Sequence, residues 1–359
     1  MDQPLLQRAP EEGARLLALS FLDQAAAAFP RLSDPADTEA LHDFRVALRR
    51  LRSCLRSYGP LLEKSLTKKL RRRLRSLAQA TGPGRDTEVQ IEWLRPRGQH
   101  LATHHRAGLV WLLARLDDRM RAAYGDINEL LEDRFPAMEK ELRQRLSVYR
   151  TEVHLDARAQ RPTFAAMTAD ILRNQTAELE MHLARVGDAD DEEEAHEARI
   201  SAKRLRYLLE PLTDEQPAAA PLVKRLKGLQ EILGELHDAH VLETELRAGV
   251  GIAAAERASK LFEVSIAEVL DEKVLRAERR RSVEPGLISL ARLNRARRDR
   301  LFQKLEAGWL NGADGDFHRE LHQLAELMSP PEESQEDEPP PGNPSAGVHN
   351  PSRGGINPS

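Results

Sequence analysis

The sequence predicts an all-α protein on three observations. Apolar residues recur at the 3.6-residue period of a helix along almost the whole chain up to Met328. Aromatic residues make up only 4% of the 359 residues, against 40% hydrophobic and 31% charged, which leaves little material for strands. The periodic stretches are separated by breaks at Pro30 to Pro35, Gly59-Pro60, Gly82-Pro83-Gly84, Gly187 to Asp191, Pro211 to Pro221 and Pro285-Gly286.

Taken in order, the first helix spans about 11–29 and stops at Pro30, and the second spans about 38–58 and stops at Gly59-Pro60. The third covers about 62–80, up to the Gly-Pro-Gly break, and a short fourth follows over about 86–95. Apolar periodicity then predicts helices over about 103–124 and 126–150, divided at Gly125. Further helices are predicted over about 163–186, 192–210, 219–234, 238–260, 262–281 and 286–308, the last opened by Pro285. From Ser329-Pro330-Pro331 the chain turns to Pro, Gly, Ser, Asn and acids without periodicity, so 329–359 reads as a disordered Pro-rich acidic tail behind one domain over 1–328.

Cys54 is the one cysteine, so no disulfide forms within the chain and a reducing setting is expected. The N-terminus lacks a basic region ahead of an apolar stretch, and no run nears the roughly 18 apolar residues of a bilayer span. A soluble, cytoplasmic protein with no membrane partner is the expectation. Net charge is only −4, but it is unevenly spread. Leu41 to Arg75 carries twelve basic residues against Asp43 and Glu63, whereas Asp188 to Glu197 carries seven acids and no Lys or Arg. Segregation of this kind points to a basic site rather than a mixed polar surface.

An internal repeat carries the strongest signal. Leu41-His42-Asp43-Phe44-Arg45-Val46-Ala47-Leu48-Arg49-Arg50-Leu51-Arg52 returns 154 residues later as Ala195-His196-Glu197-Ala198-Arg199-Ile200-Ser201-Ala202-Lys203-Arg204-Leu205-Arg206. Leu70, Arg72, Leu74, Arg75 and Leu77 then match Leu222, Lys224, Leu226, Lys227 and Leu229 at a shift of 152, as Gly82, Asp86 and Val89 match Gly234, Asp238 and Val241. The first copy occupies about 10–155 and the second about 160–310, a unit expected to pack as a pseudo-symmetric pair. Gly108-Leu109 and Gly286-Leu287 form a weaker match at another shift.

On a helical wheel with His42 at 0°, Arg45, Arg49, Arg52 and Arg56 fall within about 280–340°, a single narrow stripe. Phe44, Leu48, Leu51 and Leu55 flank it at about 180–240°. His196, Arg199, Lys203 and Arg206 take the same angles in the second copy, where Glu210 replaces Arg56. Lys68, Arg72 and Arg75 stand at i, i+4 and i+7 on the next helix, and Lys224 and Lys227 repeat part of that row.

A basic stripe is ordinarily a solvated face. Here like charges sit at i,i+3 and i,i+4, where each pair costs roughly 0.2–0.5 kcal/mol. The stripe lies beside apolar residues, as at the edge of a groove, and it occurs twice. A bound anion removes the repulsion, and a dense row of phosphates suits Arg forks, Lys point charges and protonated His together. Single-stranded nucleic acid requires aromatic platforms. Phe44 and Tyr58 turn away from the stripe, while Tyr207 lies close enough to keep nucleic acid as the alternative partner.

The doubled pattern, His42-x-x-Arg45-x-x-x-Arg49-Arg50-Leu51-Arg52 and His196-x-x-Arg199-x-x-x-Lys203-Arg204-Leu205-Arg206-Tyr207, resembles the conserved histidine α-helical domain family, known as CHAD. Leu229 to Ala239 resembles the segment that follows in that family, and the similarity covers roughly residues 10–310. The resemblance implies two four-helix bundles related by pseudo-twofold symmetry, with a basic central surface that binds inorganic polyphosphate, often at polyphosphate granules. Carried over, the expected ligands are His42, Arg45, Arg49, Arg50, Arg52, His196, Arg199, Lys203, Arg204 and Arg206, joined by Lys68, Arg72, Arg75, Lys224 and Lys227, with Arg56 extending the first stripe. Two departures stand out: Gly82-Pro83-Gly84-Arg85 faces Gly234-Glu235-Leu236-His237, and Glu210 shortens the second stripe. No Glu-x-Glu-x-Lys triphosphatase strand accompanies the module.

No cofactor, metal or catalytic residue is expected, although adaptor and metal-dependent phosphohydrolase roles are the alternatives. His237-Asp238 resembles the pair that holds metal in helical phosphohydrolases, but Asp86 and Asp238 are the repeated element, and a helix N-cap after glycine explains an Asp more simply. His100 with His104, and His318 with His322, have i,i+4 spacing and no third ligand suggested nearby, so they read as surface histidines. No Walker-type phosphate loop is present.

Overall fold

In the computed structural model of the chain, residues 3–34, 36–37, 39–148, 162–266, 272–273, 276 and 282–329 are described. Among these, all regular structure is helical: α1 Pro10–Ala28, α2 Ala40–Ser57, α3 Lys68–Ala80, α4 Gly82–Leu94, α5 Arg106–Ser147, α6 Phe164–Leu183, α7 Glu192–Leu209, α8 Ala219–Ser265, α9 Glu284–Trp309 and α10 Phe317–Met328. Five short 3₁₀ turns accompany them, of which Leu5–Gln7 precedes α1 and Arg95–Gln99 continues α4. The expected disordered tail lies outside the described residues except Ser329, which caps α10 and accepts a 2.5 Å hydrogen bond from Arg173 on α6.

The predicted break at Gly125 does not exist. α5 runs through both Gly125 and Pro136, because Leu116, Ile127, Leu131, Phe135 and Met138 are buried at helical spacing along it. That burial outweighs the roughly 1 kcal/mol that an interior glycine costs. The predicted gap at 235–237 is absent for the same reason, since Leu229, Leu233, Leu236 and Ala239 are buried in one continuous α8. The third helix is shorter than predicted, and residues 59–65 form turns ahead of Thr67, whose hydroxyl caps α3 by accepting from Leu70 N. α4 begins inside the Gly-Pro-Gly break, with Pro83 in its first turn. α10 lies beyond the last predicted helix.

The buried side chains form two clusters. The larger draws on α1, α2, α3, α6, α7 and α10 with parts of α5, α8 and α9, and the smaller holds Ile91, Leu94, Leu109, Leu112, Leu116, Leu242, Leu246, Leu287 and Leu290 among its members. α5, α8 and α9 each enter both clusters, so the core is shared between the copies of the repeat. Arg15, buried in α1, donates to the carbonyls of Arg145 and Leu146 and to Ser65 Oγ, closing the C-terminal end of α5.

The starts of α5 and α9 meet at two glycines. A Cβ on Gly108 would lie 2.5 Å from the Val283 carbonyl oxygen, and one on Gly286 would lie 2.2 Å from that of His105, distances that only glycine tolerates. His105 Nδ1 and Ser289 Oγ share a 2.9 Å hydrogen bond beside this contact.

Candidate polyanion-binding site

α2 and α7, the helices of the repeated motif, pack against each other and turn the apolar flanks seen in the sequence into the core. Phe44, Leu48, Leu51 and Leu55 are buried on α2, as are Ala198, Ala202, Leu205 and Leu209 on α7. The intervening faces therefore meet cation to cation. Arg49 of α2 lies close enough to Arg199 and Lys203 of α7 for its charge to disfavour theirs, and Arg45, Arg52 and Arg204 are likewise held below the ordinary guanidinium value by partial burial and by neighbouring arginines. Burial, then Arg199 and Arg49, pushes the Lys203 ammonium down to about 7.

Most arginines elsewhere have carboxylate partners. Arg31 bonds Asp37 and Asp43 at 2.8 and 2.7 Å, and Arg143 bonds Asp23 and Glu139 at 2.7 and 2.6 Å. Among the described residues, Arg45, Arg49, Arg52, Arg56, Arg199 and Lys203 have no carboxylate within 4.0 Å, and the buried Nε atoms of Arg49, Arg199 and Arg206 have no hydrogen-bond acceptor. A buried donor without a partner costs about 1–3 kcal/mol, more when charged, so these groups are poised for acceptor oxygens from outside the chain.

Not every residue of the motif joins them. Arg50 turns to Glu210, donating at 2.9 and 3.2 Å, and borders a cleft of about 400 Å³ with Phe21 and Pro211. Arg204 bonds Glu178 at 3.3 Å, although Arg56 is near it. Both lie about 80° from the histidine on the wheel, off the stripe. Glu210 also holds Arg206 at 3.1 Å, so the departure at this position closes the second stripe with a carboxylate that pairs one cation from each copy. His42 is exposed on a mixed-charge cleft of about 790 Å³ with Arg45, Arg85, Asp37 and Glu88. His196 stands 5.0 Å from His237, ring to ring. Arg75 faces Arg52, Arg72 borders a separate cleft with Asp133 and Met138, and Lys68, Lys224 and Lys227 are exposed.

The N-cap reading of Asp86 and Asp238 is overturned. Asp86 is the fifth residue of α4 and Asp238 lies deep inside α8, because the apolar spacing of α8 carries the helix across the junction. Both carboxylates instead lie in the field of Arg199, and Asp238 also faces Lys203 and Arg297 of α9. Burial raises Asp238, while burial and the cations Arg199 and Lys203 press His237 down to about 4. Among the described residues, no three His, Cys, Asp or Glu side chains gather as metal ligands.

The profile of the CHAD domain family matches residues 17–247. This chain belongs to the CHAD domain family. Among solved structures, it is similar to the CHAD domain from the plant Ricinus communis at 20% identity and a TM-score of 0.58, over 88% of this chain and 93% of that one, a likeness of fold. PptA from Streptomyces chartreusis aligns with 89% of this chain and 99% of its own at 16% identity and a TM-score of 0.49. No curated protein matches.

Sequence reasoning missed four members of the site in this CHAD domain. Arg297 lies outside the repeated motifs, and the N-cap reading of Asp86 and Asp238 leaves both of them, with His237, out of the site. The matched Asp86 and Asp238 were the available signal, since a repeated carboxylate beside a repeated cation row marks a shared surface. The acidic run before α7 is also used locally: Asp190 pairs with Arg295 and Arg298, and Asp191 accepts from the backbone of Gly187 and Asp188. No described helix is long and apolar enough to cross a membrane.

Proposed function

We propose that this CHAD domain binds inorganic polyphosphate along the α2–α7 face, acts by recognition rather than catalysis, and works where the polymer accumulates, in the cytoplasm at polyphosphate granules. The observation that carries the proposal is the set of buried, unpartnered Nε donors of Arg49, Arg199 and Arg206, beside a lysine whose charge burial, Arg199 and Arg49 disfavour. Arg45 to Arg56 spans eleven helical residues, about 16 Å at 1.5 Å per residue, longer than one phosphate reaches. A linear polyanion supplies acceptors along that whole length.

Phe44, Tyr58 and Tyr207 are all buried, and the Arg206 guanidinium lies over the Tyr207 ring at 4.8 Å. None of these three rings is left as a platform for bases, which favours polyphosphate over single-stranded nucleic acid. The test is titration of the purified protein with polyphosphate at two salt concentrations, with RNA as competitor. With about six to ten phosphates neutralised, log K should fall against log salt with a slope of about −4 to −7, and binding should survive RNA at equal charge concentration. A flat salt response, or displacement by RNA, refutes the proposal.

A further inference from the structure

A second group of cations lies beyond the stripes, where the end of α4 meets α9. Arg97, in the turn after α4, stacks over the Trp93 ring at 4.2 Å, and Arg297 of α9 approaches the same ring at 5.3 Å. Arg297 and the exposed Arg300 both disfavour the charge on Arg97, so two cations lie over one indole and a third lies beside them. Their local partners are few. Arg297 touches Glu235 at 3.5 Å, and Arg97 donates to the Trp93 carbonyl at 2.7 Å. Among the described residues, neither Arg97 nor Arg300 has a carboxylate within 4.0 Å, and the buried Trp93 Nε1 has no acceptor.

This group is continuous with the α2–α7 face. Asp238 lies in the fields of Arg199 and Lys203 and of Arg297 alike. The geometry points to an extension of the anion track: a long polyphosphate chain bound at the stripes continues past Asp238 onto Arg297, Arg300 and Arg97, with Trp93 beneath it. The inference rests on the polyphosphate reading and adds a dependence on chain length. Short chains fill the α2–α7 face alone, and only long chains reach the arginines around Trp93. Asp238 interacts with cations of both segments, and an anion too short to reach from one to the other gains nothing from the second.

The test compares the native chain with Arg97→Gln/Arg300→Gln, using tripolyphosphate and a polyphosphate of about a hundred units as probes. With two contacts removed at a slope of about 0.7 per phosphate, the long chain should bind about 25-fold more weakly at 0.1 M salt, with its salt slope smaller by about 1.4. Tripolyphosphate affinity should be unchanged. Fluorescence of a Trp111→Phe/Trp309→Phe protein, in which Trp93 is the one remaining indole, should respond to the long chain and not to tripolyphosphate. The fluorescence readout needs no arginine substitution, so it stands even if the double variant is unstable. Equal long-chain affinity in native and variant proteins, or an indole that responds equally to both probes, overturns the extension while leaving the stripes intact. Failure of the native chain to bind either probe overturns the polyphosphate reading itself.

Discussion

Replacement of Lys203 by Met tests the site through its protons. In the empty protein, burial and then Arg199 and Arg49 hold the ammonium at about 7, against an ordinary 10.5. A phosphate chain in contact supplies the missing counter-charge and returns the group toward its ordinary value. At pH 8 the free lysine carries about 0.1 of a proton and the bound one about 1.0, so binding should take up about 0.9 of a proton, falling to about 0.5 at pH 7. Affinity should then weaken nearly tenfold per pH unit above 7. Calorimetric titration at pH 8 in buffers of different ionisation enthalpy counts the protons directly. Protons exchanged by the terminal phosphates are common to both proteins and cancel in the comparison. Equal uptake by the native protein and Lys203→Met would refute the reasoning, because it would place the lysine outside the phosphate path.

The same displacement sets the stability of the empty protein. Because the folded value lies below the unfolded one, charging Lys203 opposes folding in full below pH 7, and the penalty fades as pH rises from 7 toward 10.5. Urea unfolding should show the native protein gaining stability over that range and Lys203→Met gaining less. Reversal of Arg49 to Glu, which removes one contact and adds a repulsion, should weaken polyphosphate binding on the order of 30-fold at 0.1 M salt, while Arg247→Glu on the exposed side of α8 should change it little; equal losses in a filter or fluorescence titration would move the site elsewhere. The Tyr58 hydroxyl donates to Thr168 Oγ1 at 3.0 Å in the core, and Thr168 donates on to the Phe164 carbonyl, so Tyr58→Phe should lose about 1 kcal/mol in urea unfolding without affecting binding. Gly286→Ala should destabilise by about 2 kcal/mol or more, because the atoms its Cβ would strike are backbone; a midpoint within experimental error of the native one would show that α5 and α9 can part freely.

Much of this architecture is legible along single helices. The apolar faces of α2 and α7 follow from spacing alone, and Phe44, Leu48, Leu51 and Leu55 with their counterparts Ala198, Ala202, Leu205 and Leu209 are buried. Boundaries fare worse where local punctuation competes with packing: Gly125 and the stretch 235–237 look like breaks, but the leucines on either side bury along one continuous face. α10 was readable, since Phe317, Leu321, Leu324 and Met328 recur at helical spacing and are all buried. In the site, the wheel separates Arg50 and Arg204 from the stripe, whereas family resemblance groups them with it, and the geometry follows the wheel. Arg297 was beyond reach, because periodicity tells which face a residue occupies and not which distant helix that face meets.

The glycine contact between α5 and α9 also bears on the order of folding. His105 and Ser289, hydrogen-bonded beside it, are 184 residues apart in sequence, so this seam closes one of the longest loops in the chain. Loop closure of that length is paid before its contacts return anything, which places the seam after the local helix pairs on the route to the native state. A substitution there should leave the refolding rate nearly unchanged and appear almost entirely as faster unfolding. This close backbone approach then sets how long the native state lasts rather than how quickly it forms.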